Sequence, residues 1–188
     1  MQGLEFKRGV KMFLKNFLSV LFLLTVIFLP NKYLEAAPRV AVIPFENQSA
    51  RQTSDFDGVL EQARADVEIY IVQTGRFDSL DRVSLQRLLD EIKLNHTALF
   101  DPATAAQYGK MVGAQYLVLG SVTGMSKKGN ELVAHLSLRM IEVETARIFL
   151  AGRGSGKSKG DASTAMEKAV EDAVNGKRGM LTMFRGGK

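Results

Sequence analysis

Apolar side chains change their spacing several times along this chain, and each spacing predicts an element. Phe17 to Leu29 is an apolar run broken only by Ser19 and Thr25 and closed by Pro30. Arg39 to Phe45, RVAVIPF, is short and β-branched, which predicts a buried strand. Phe56, Leu60, Ala63, Val67, Tyr70 and Ile71 then recur three or four residues apart, as one face of a helix does. Thr74-Gly75 stops that helix, and Arg76 to Leu80 reads as a second short strand. Asp81 caps a helix with Leu85, Leu88, Leu89 and Ile92 on one stripe. Asp101-Pro102 opens another helix, which runs to Gly113.

The second half of the chain shifts to a period of two. Gln115 to Thr123 has high β propensity, and Lys127-Lys128-Gly129-Asn130 is a turn. Leu132, Ala134, Leu136, Leu138 and Met140 alternate with Val133, His135, Ser137 and Arg139, which predicts a strand with one buried face. Glu144-Thr145 turns the chain, and Arg147 to Leu150 begins a third strand of an antiparallel meander. Ala162, Ala165, Met166, Ala169, Val170 and Ala173 mark a last amphipathic helix. The predicted order is β-α-β-α-α-β-β-β-α. It makes a single α/β (α+β) domain with a mixed sheet of about five strands and packed helices in two or three layers. That domain is expected over residues 37–176. Residues 177–188, basic and glycine-rich, are expected to be a flexible tail.

Residues 1–36 have the order of an export signal. Basic residues precede the apolar run, and the small residues of LEAAP follow it. As a helix the run would rise about 20 Å, short of the roughly 30 Å hydrocarbon core, so cleavage after Ala36 is expected in preference to a retained anchor. This segment also carries much of the net charge of +5. It holds five basic residues (Lys7, Arg8, Lys11, Lys15, Lys32) and two acidic ones (Glu5, Glu35), so 20 basic and 18 acidic residues remain beyond Ala36. A balance so close to neutral gives no general nucleic-acid surface. The absence of cysteine excludes disulfides, thiolate metal sites, cysteine nucleophiles and a lipidated cysteine. The two histidines, His96 and His135, lie far apart and lack carboxylates at ligand spacing.

One string tempts a chemical reading. In AGRGSGKS, Ala151 to Ser158, residues Gly156, Lys157 and Ser158 match the end of a phosphate-binding loop, but Ala151 stands where its first glycine belongs. The string follows a late meander strand and does not feed directly into a helix, so a glycine-rich strand exit with a solvated lysine is the expected reading. Asp78 and Asp81 flank a strand end, and capping accounts for Asp81. No residue is singled out as catalytic, cofactor-binding or metal-ligating.

The order of segments resembles the CsgG family, the bacterial curli production assembly/transport components and their relatives. Phe45-Glu46-Asn47 follows the first strand, and Arg76-Phe77 leads to Asp81-Arg82 with Leu85, Leu88, Leu89 and Glu91 beyond. Gly113-Ala114, Tyr116-Leu117-Val118, Gly120-Ser121, Val143 and Thr145 match the later part. The resemblance implies an exported, non-enzymatic envelope protein, periplasmic or associated with the outer membrane, with no cofactor. It would act through protein–protein contacts in assembly or transport of surface or secreted components. Implied partners are other envelope proteins or further copies in a ring, with peripheral membrane association and no nucleic acid. Relatives that activate peptidoglycan synthases imply a second role; apart from the resemblance, a nucleotide-binding enzyme built on Gly156-Lys157-Ser158 is a third. The chain lacks the family's lipid-anchor cysteine. The turns at Lys127–Asn130 and Glu144–Thr145 leave no room for its transmembrane hairpins, so this chain is not expected to form the pore by itself.

Overall fold

A computed structural model describes residues 36–49, 55–92, 99 and 101–182. The export-signal expectation, apart from Ala36, lies outside the described residues, as do His96 and residues 183–188. All described residues except Ala36 belong to one compact unit, Ala37–Lys188. Its elements are β1 (Arg39–Val42), β2 (Glu46–Asn47), α1 (Asp55–Gln73), β3 (Asp78–Ser79), α2 (Arg82–Ile92), α3 (Pro102–Val112), β4 (Tyr116–Lys128), β5 (Glu131–Glu142), β6 (Arg147–Lys159) and α4 (Ala162–Asn175).

One mixed sheet has the order β3-β1-β4-β5-β6, and β2 pairs with β4 beyond the end of β1. The pairs β1–β3, β1–β4 and β2–β4 are parallel, whereas β4–β5 and β5–β6 are antiparallel. The chain leaves β1 through α1 for β3, then returns past β1 through α2 and α3 to β4. Parallel crossovers share one hand, so this reversal puts α1 on one face and α2 with α3 on the other. Two cores result. Val40 and Val42 of β1 join α1, α4 and the inward residues of β5. Ala41 and Ile43 join Leu85, Leu89, Tyr108, Leu117 and Leu119 on the opposite face. The predicted architecture is therefore present in three layers, with β2 as an added sixth strand.

The caps act where their sequence places them. Asp81 accepts hydrogen bonds from the Ser84 backbone N–H and hydroxyl at 2.9 and 2.8 Å. Asp101 does the same for Thr104. Gly113 closes α3 at φ 72, a left-handed conformation suited to glycine. Arg64 is buried and pairs within α1, at 3.0 Å from Glu61 and 2.7 Å from Glu68. Burial alone would lower its pKa. Hydrogen bonds donated to Glu61 and Glu68, with the charge of those carboxylates, outweigh that and raise it. Glu68 accepts from Ser79 of β3, and Glu61 pairs with Arg82 of α2, so α1 is fastened to the outer edge of the sheet.

Two expectations are corrected. The third meander strand does not exit at the glycines. It continues through them to Lys159, because a helix covers them. Residues 177–182 are not a loose tail. Met180 is fully buried, its N–H donates to Ala173 at 2.8 Å, and Leu181 donates to Val174 at 2.9 Å. An apolar Met-Leu pair after the basic residues provides the driving force, and Arg178 adds a carbonyl that accepts from Arg153 of β6.

Candidate functional site

The alternation of β6 gives its two faces opposite characters. Gly152, Gly154 and Gly156 point toward α4 and are buried. A Cβ on them would lie 2.2, 2.0 and 2.0 Å from the carbonyl oxygens of Ala173, Ala169 and Ala165. Two strand residues advance about 6.8 Å and four helical residues about 6.0 Å, so a glycine on every second position meets an alanine on every fourth. The string that imitates a phosphate loop is thus a landing strip for a helix. Lys157 points the other way and pairs with Glu131 at 3.3 Å.

The residues between the glycines, Ala151, Arg153, Ser155 and Lys157, are exposed. They continue the outward row of β5, where Arg139 pairs in register with Ala151, Ser137 with Arg153, and His135 with Ser155. Helices α2 and α3 cover the sheet over Leu117, Leu119 and Ile141, but not over this stretch. The result is an open sheet face carrying Arg139, Arg153, His135 and serines. Arg139 and Arg153 have no acidic partner among the described residues. A trough of about 630 Å³ continues from it around the outer edge of β6, lined by His135, Arg153, Ser155, Asp172, Lys177 and Arg178. The edge strand is partly closed there. Ser155 N–H donates to Asp172 at 3.0 Å, Arg153 N–H to Arg178, and Lys168 Nζ to the Lys157 carbonyl at 3.2 Å.

Other concavities occur among the described residues. One, of about 440 Å³, lies where α1 and α4 end, with Tyr70, Arg76, Phe77 and Leu181 in its wall. Beside it Phe77 meets Tyr116 edge-on at 5.6 Å, and Tyr116 meets Phe149 at 5.1 Å. Burial and then the charge of Glu142 raise the Tyr116 pKa. Another, about 400 Å³, lies between α2 and α3 and is lined by Leu80, Leu85, Leu88 and Val112 with Asp81, Arg87 and Glu91. Tyr108 bridges the same two helices, its hydroxyl donating to the Leu85 carbonyl at 3.3 Å, and burial pushes its pKa up to about 12.

Sequence-derived residues are dispersed rather than gathered. His135 is exposed on β5, opposite Leu136, as its alternation predicts. Asp78 is exposed on β3 and Asp81 is a cap, so the two form no common ligand set. No group of three or more metal-ligating side chains occurs among the described residues. No helix among them is long and apolar enough to cross a membrane. The open face went unremarked in the sequence, although its signal is there. Arg153, Ser155 and Lys157 alternate with the glycines, and period two is masked when every second residue has no side chain.

A family model described as "Curli production assembly/transport component CsgG" matches residues 29–179. No curated protein matches the chain. Among solved structures, the chain is similar to the lipoprotein GNA1162 from Neisseria meningitidis, with 14% identity over 73% of this chain and 96% of that one, at a TM-score of 0.52. It is similar to the PelC dodecamer from Paraburkholderia phytofirmans, with 14% identity over 76% and 89% of the two chains, at 0.48. The LpoB C-terminal domain from Salmonella enterica shows 20% identity over 66% and 85%, at 0.44. At 14% identity the likeness to GNA1162 concerns the fold alone.

Proposed function

The chain belongs to the CsgG family, and on that premise we propose that it is an exported envelope protein that works by protein contact, not catalysis, in the assembly or transport of surface or secreted components. The observation that carries this reading is the extent of the family match, residues 29–179, which takes in all four described helices and the whole sheet. The fate of the polar residues supports it. Asp81, Asp101 and Asp161 are engaged in capping, and Gly156-Lys157-Ser158 lies in a strand beneath a helix. The leader-like order of residues 1–36 supports export, and cleavage there would release the domain into the periplasm.

The test is a deletion strain of the source organism, assayed for material on its surface and in its medium. Loss of that material should be restored by the full chain and not by a version starting at Ala37. Recovery of the wild-type protein in the cytosolic fraction, or full rescue by the leaderless version, would overturn the proposal.

A further inference from the structure

The trough at the outer edge of β6 gathers positive charge that the fold itself leaves unmatched. Arg153, Lys177 and Arg178 all line it, and none of the three has an acidic ion-pair partner among the described residues. The cleft between α2 and α3 has the opposite balance, with Arg87 beside Asp81 and Glu91. The backbone imposes the gathering. Arg153 N–H donates to the Arg178 carbonyl at 3.3 Å, so two arginines far apart in the chain are held side by side at the strand edge. Two guanidinium groups so placed stay charged and repel each other. The carboxylate in the lining, Asp172, is already engaged. One of its oxygens accepts the Ser155 N–H at 3.0 Å, and the other lies 2.1 Å from where a Cβ on Gly176 would fall. Three cations beside one carboxylate leave two positive charges uncompensated.

The donors in the lining select the ligand. A carboxylate offers two oxygens, and a single guanidinium fork satisfies it. A terminal phosphate offers three oxygens besides its ester link and carries nearly two charges, so it can accept from both arginines, the lysine and a hydroxyl together. No apolar side chain lines the trough, so whatever carries the phosphate stays outside it. We propose that the trough binds a phosphate monoester, with Arg153 and Arg178 donating to its oxygens, Lys177 as a third cation and the Ser155 hydroxyl as a further donor. The same chemistry is presented by a lipid headgroup and by a small soluble phosphate. Asp172 is a positioning residue that holds the edge of β6 against α4. The site is separate from Gly156-Lys157-Ser158, since Lys157 pairs with Glu131 and does not line the trough. It is also independent of the envelope role, and either can fail without the other.

The test is a calorimetric titration of the full chain, in a zwitterionic detergent at low salt, with glycerol 3-phosphate, sulfate and acetate. Glycerol phosphate should bind at least tenfold more tightly than either of the other anions. Arg153→Ser with Arg178→Ser should weaken it at least tenfold, and Lys177→Gln severalfold. Arg139→Ser and Lys157→Gln, which remove cations outside the trough, should leave it within twofold. Thermal midpoints matching the wild type show that the variants are folded. If the double change disturbs folding, Arg153→Lys and Arg178→Lys, which keep the charge and lose the fork, should still lower the preference for phosphate over sulfate. Flotation with phosphatidylcholine vesicles then assigns the source. A gain on adding phosphatidic acid, greater than with phosphatidylglycerol at equal surface charge and lost in the double variant, supports a lipid headgroup. Glycerol phosphate binding without that gain supports a small soluble phosphate. No binding of glycerol phosphate at millimolar concentration would overturn the proposal. Equal binding of all three anions, or binding as sensitive to Arg139→Ser and Lys157→Gln as to the trough changes, would overturn it in favour of general attraction to a basic surface.

Discussion

The two faces of β6 are made by neighbouring residues of one strand, yet they answer to different demands. On the covered face, Gly152, Gly154 and Gly156 lie under the backbone of α4 with no space for a methyl group. On the open face, Arg153, Ser155 and Lys157 touch little of the fold. The covered face shows what the fold requires. The open face is unconstrained by packing, so charge left unpaired there calls for an explanation outside the domain. In a polar strand the exposed chemistry becomes informative only once the buried side has been identified.

The sharpest way to break this contrast is to put a side chain on the covered face. Gly154→Val should lower stability by about 3 kcal/mol or more, read as a drop in the urea midpoint, because its Cβ would fall on the backbone of α4 and not on a movable side chain. A midpoint unchanged by this substitution would mean that α4 does not lie where it is described. Gly120→Ala should be milder, about 1–2 kcal/mol in the same titration. Its Cβ would come within 2.4 Å of the Phe45 ring, which can shift.

The remaining tests are small by design. Arg153→Ser should leave the thermal midpoint within the change expected for about 0.5 kcal/mol, the usual range for an exposed position. Gly124→Ala, which would meet only His135 at 3.4 Å, should be equally mild. A large loss of stability from either would show that the open face is structural.

Outside the covering layer, the carboxyl of Asp66 is raised above its ordinary range by burial and then by the charge of Glu167. A carboxyl raised in the fold destabilises the ionised state, so its contribution improves as pH falls through the folded value. Asp66→Asn should therefore be more stable than the parent at pH 7, with the difference gone at about pH 3. Denaturation at the two pH values measures it. The caps Asp101 and Asp161 have the opposite sign. Hydrogen bonds from Thr104 and Thr164 lower their pKa values, so what they add is present above the ordinary carboxyl value and lost as pH falls through the folded one.

Much of the architecture was legible because its signals are local. Asp101-Pro102, Gly113, and the Leu132-to-Met140 alternation each carry their own instruction. What was missed depends on distant partners. Gly152, Gly154 and Gly156 mean one thing in a loop and another beneath Ala165, Ala169 and Ala173, and that pairing spans a turn and a whole helix. Met180 looked like part of a basic, glycine-rich tail, since only the finished core offers it a socket. The two-residue β2 has too little sequence to announce itself and exists because β4 extends past β1. The open face escaped notice for a related reason: unpaired charge becomes visible only after every neighbour has been placed.

The placement of α4 and residues 177–182 sets the order in which the molecule can mature. The meander is made first along the chain, but its glycine-lined side stays bare until the final helix and Met180 arrive. A polypeptide threaded across a membrane from its amino end would expose those strands before their cover has emerged. The sheet is closed on that side only once α4 and Met180 are in place.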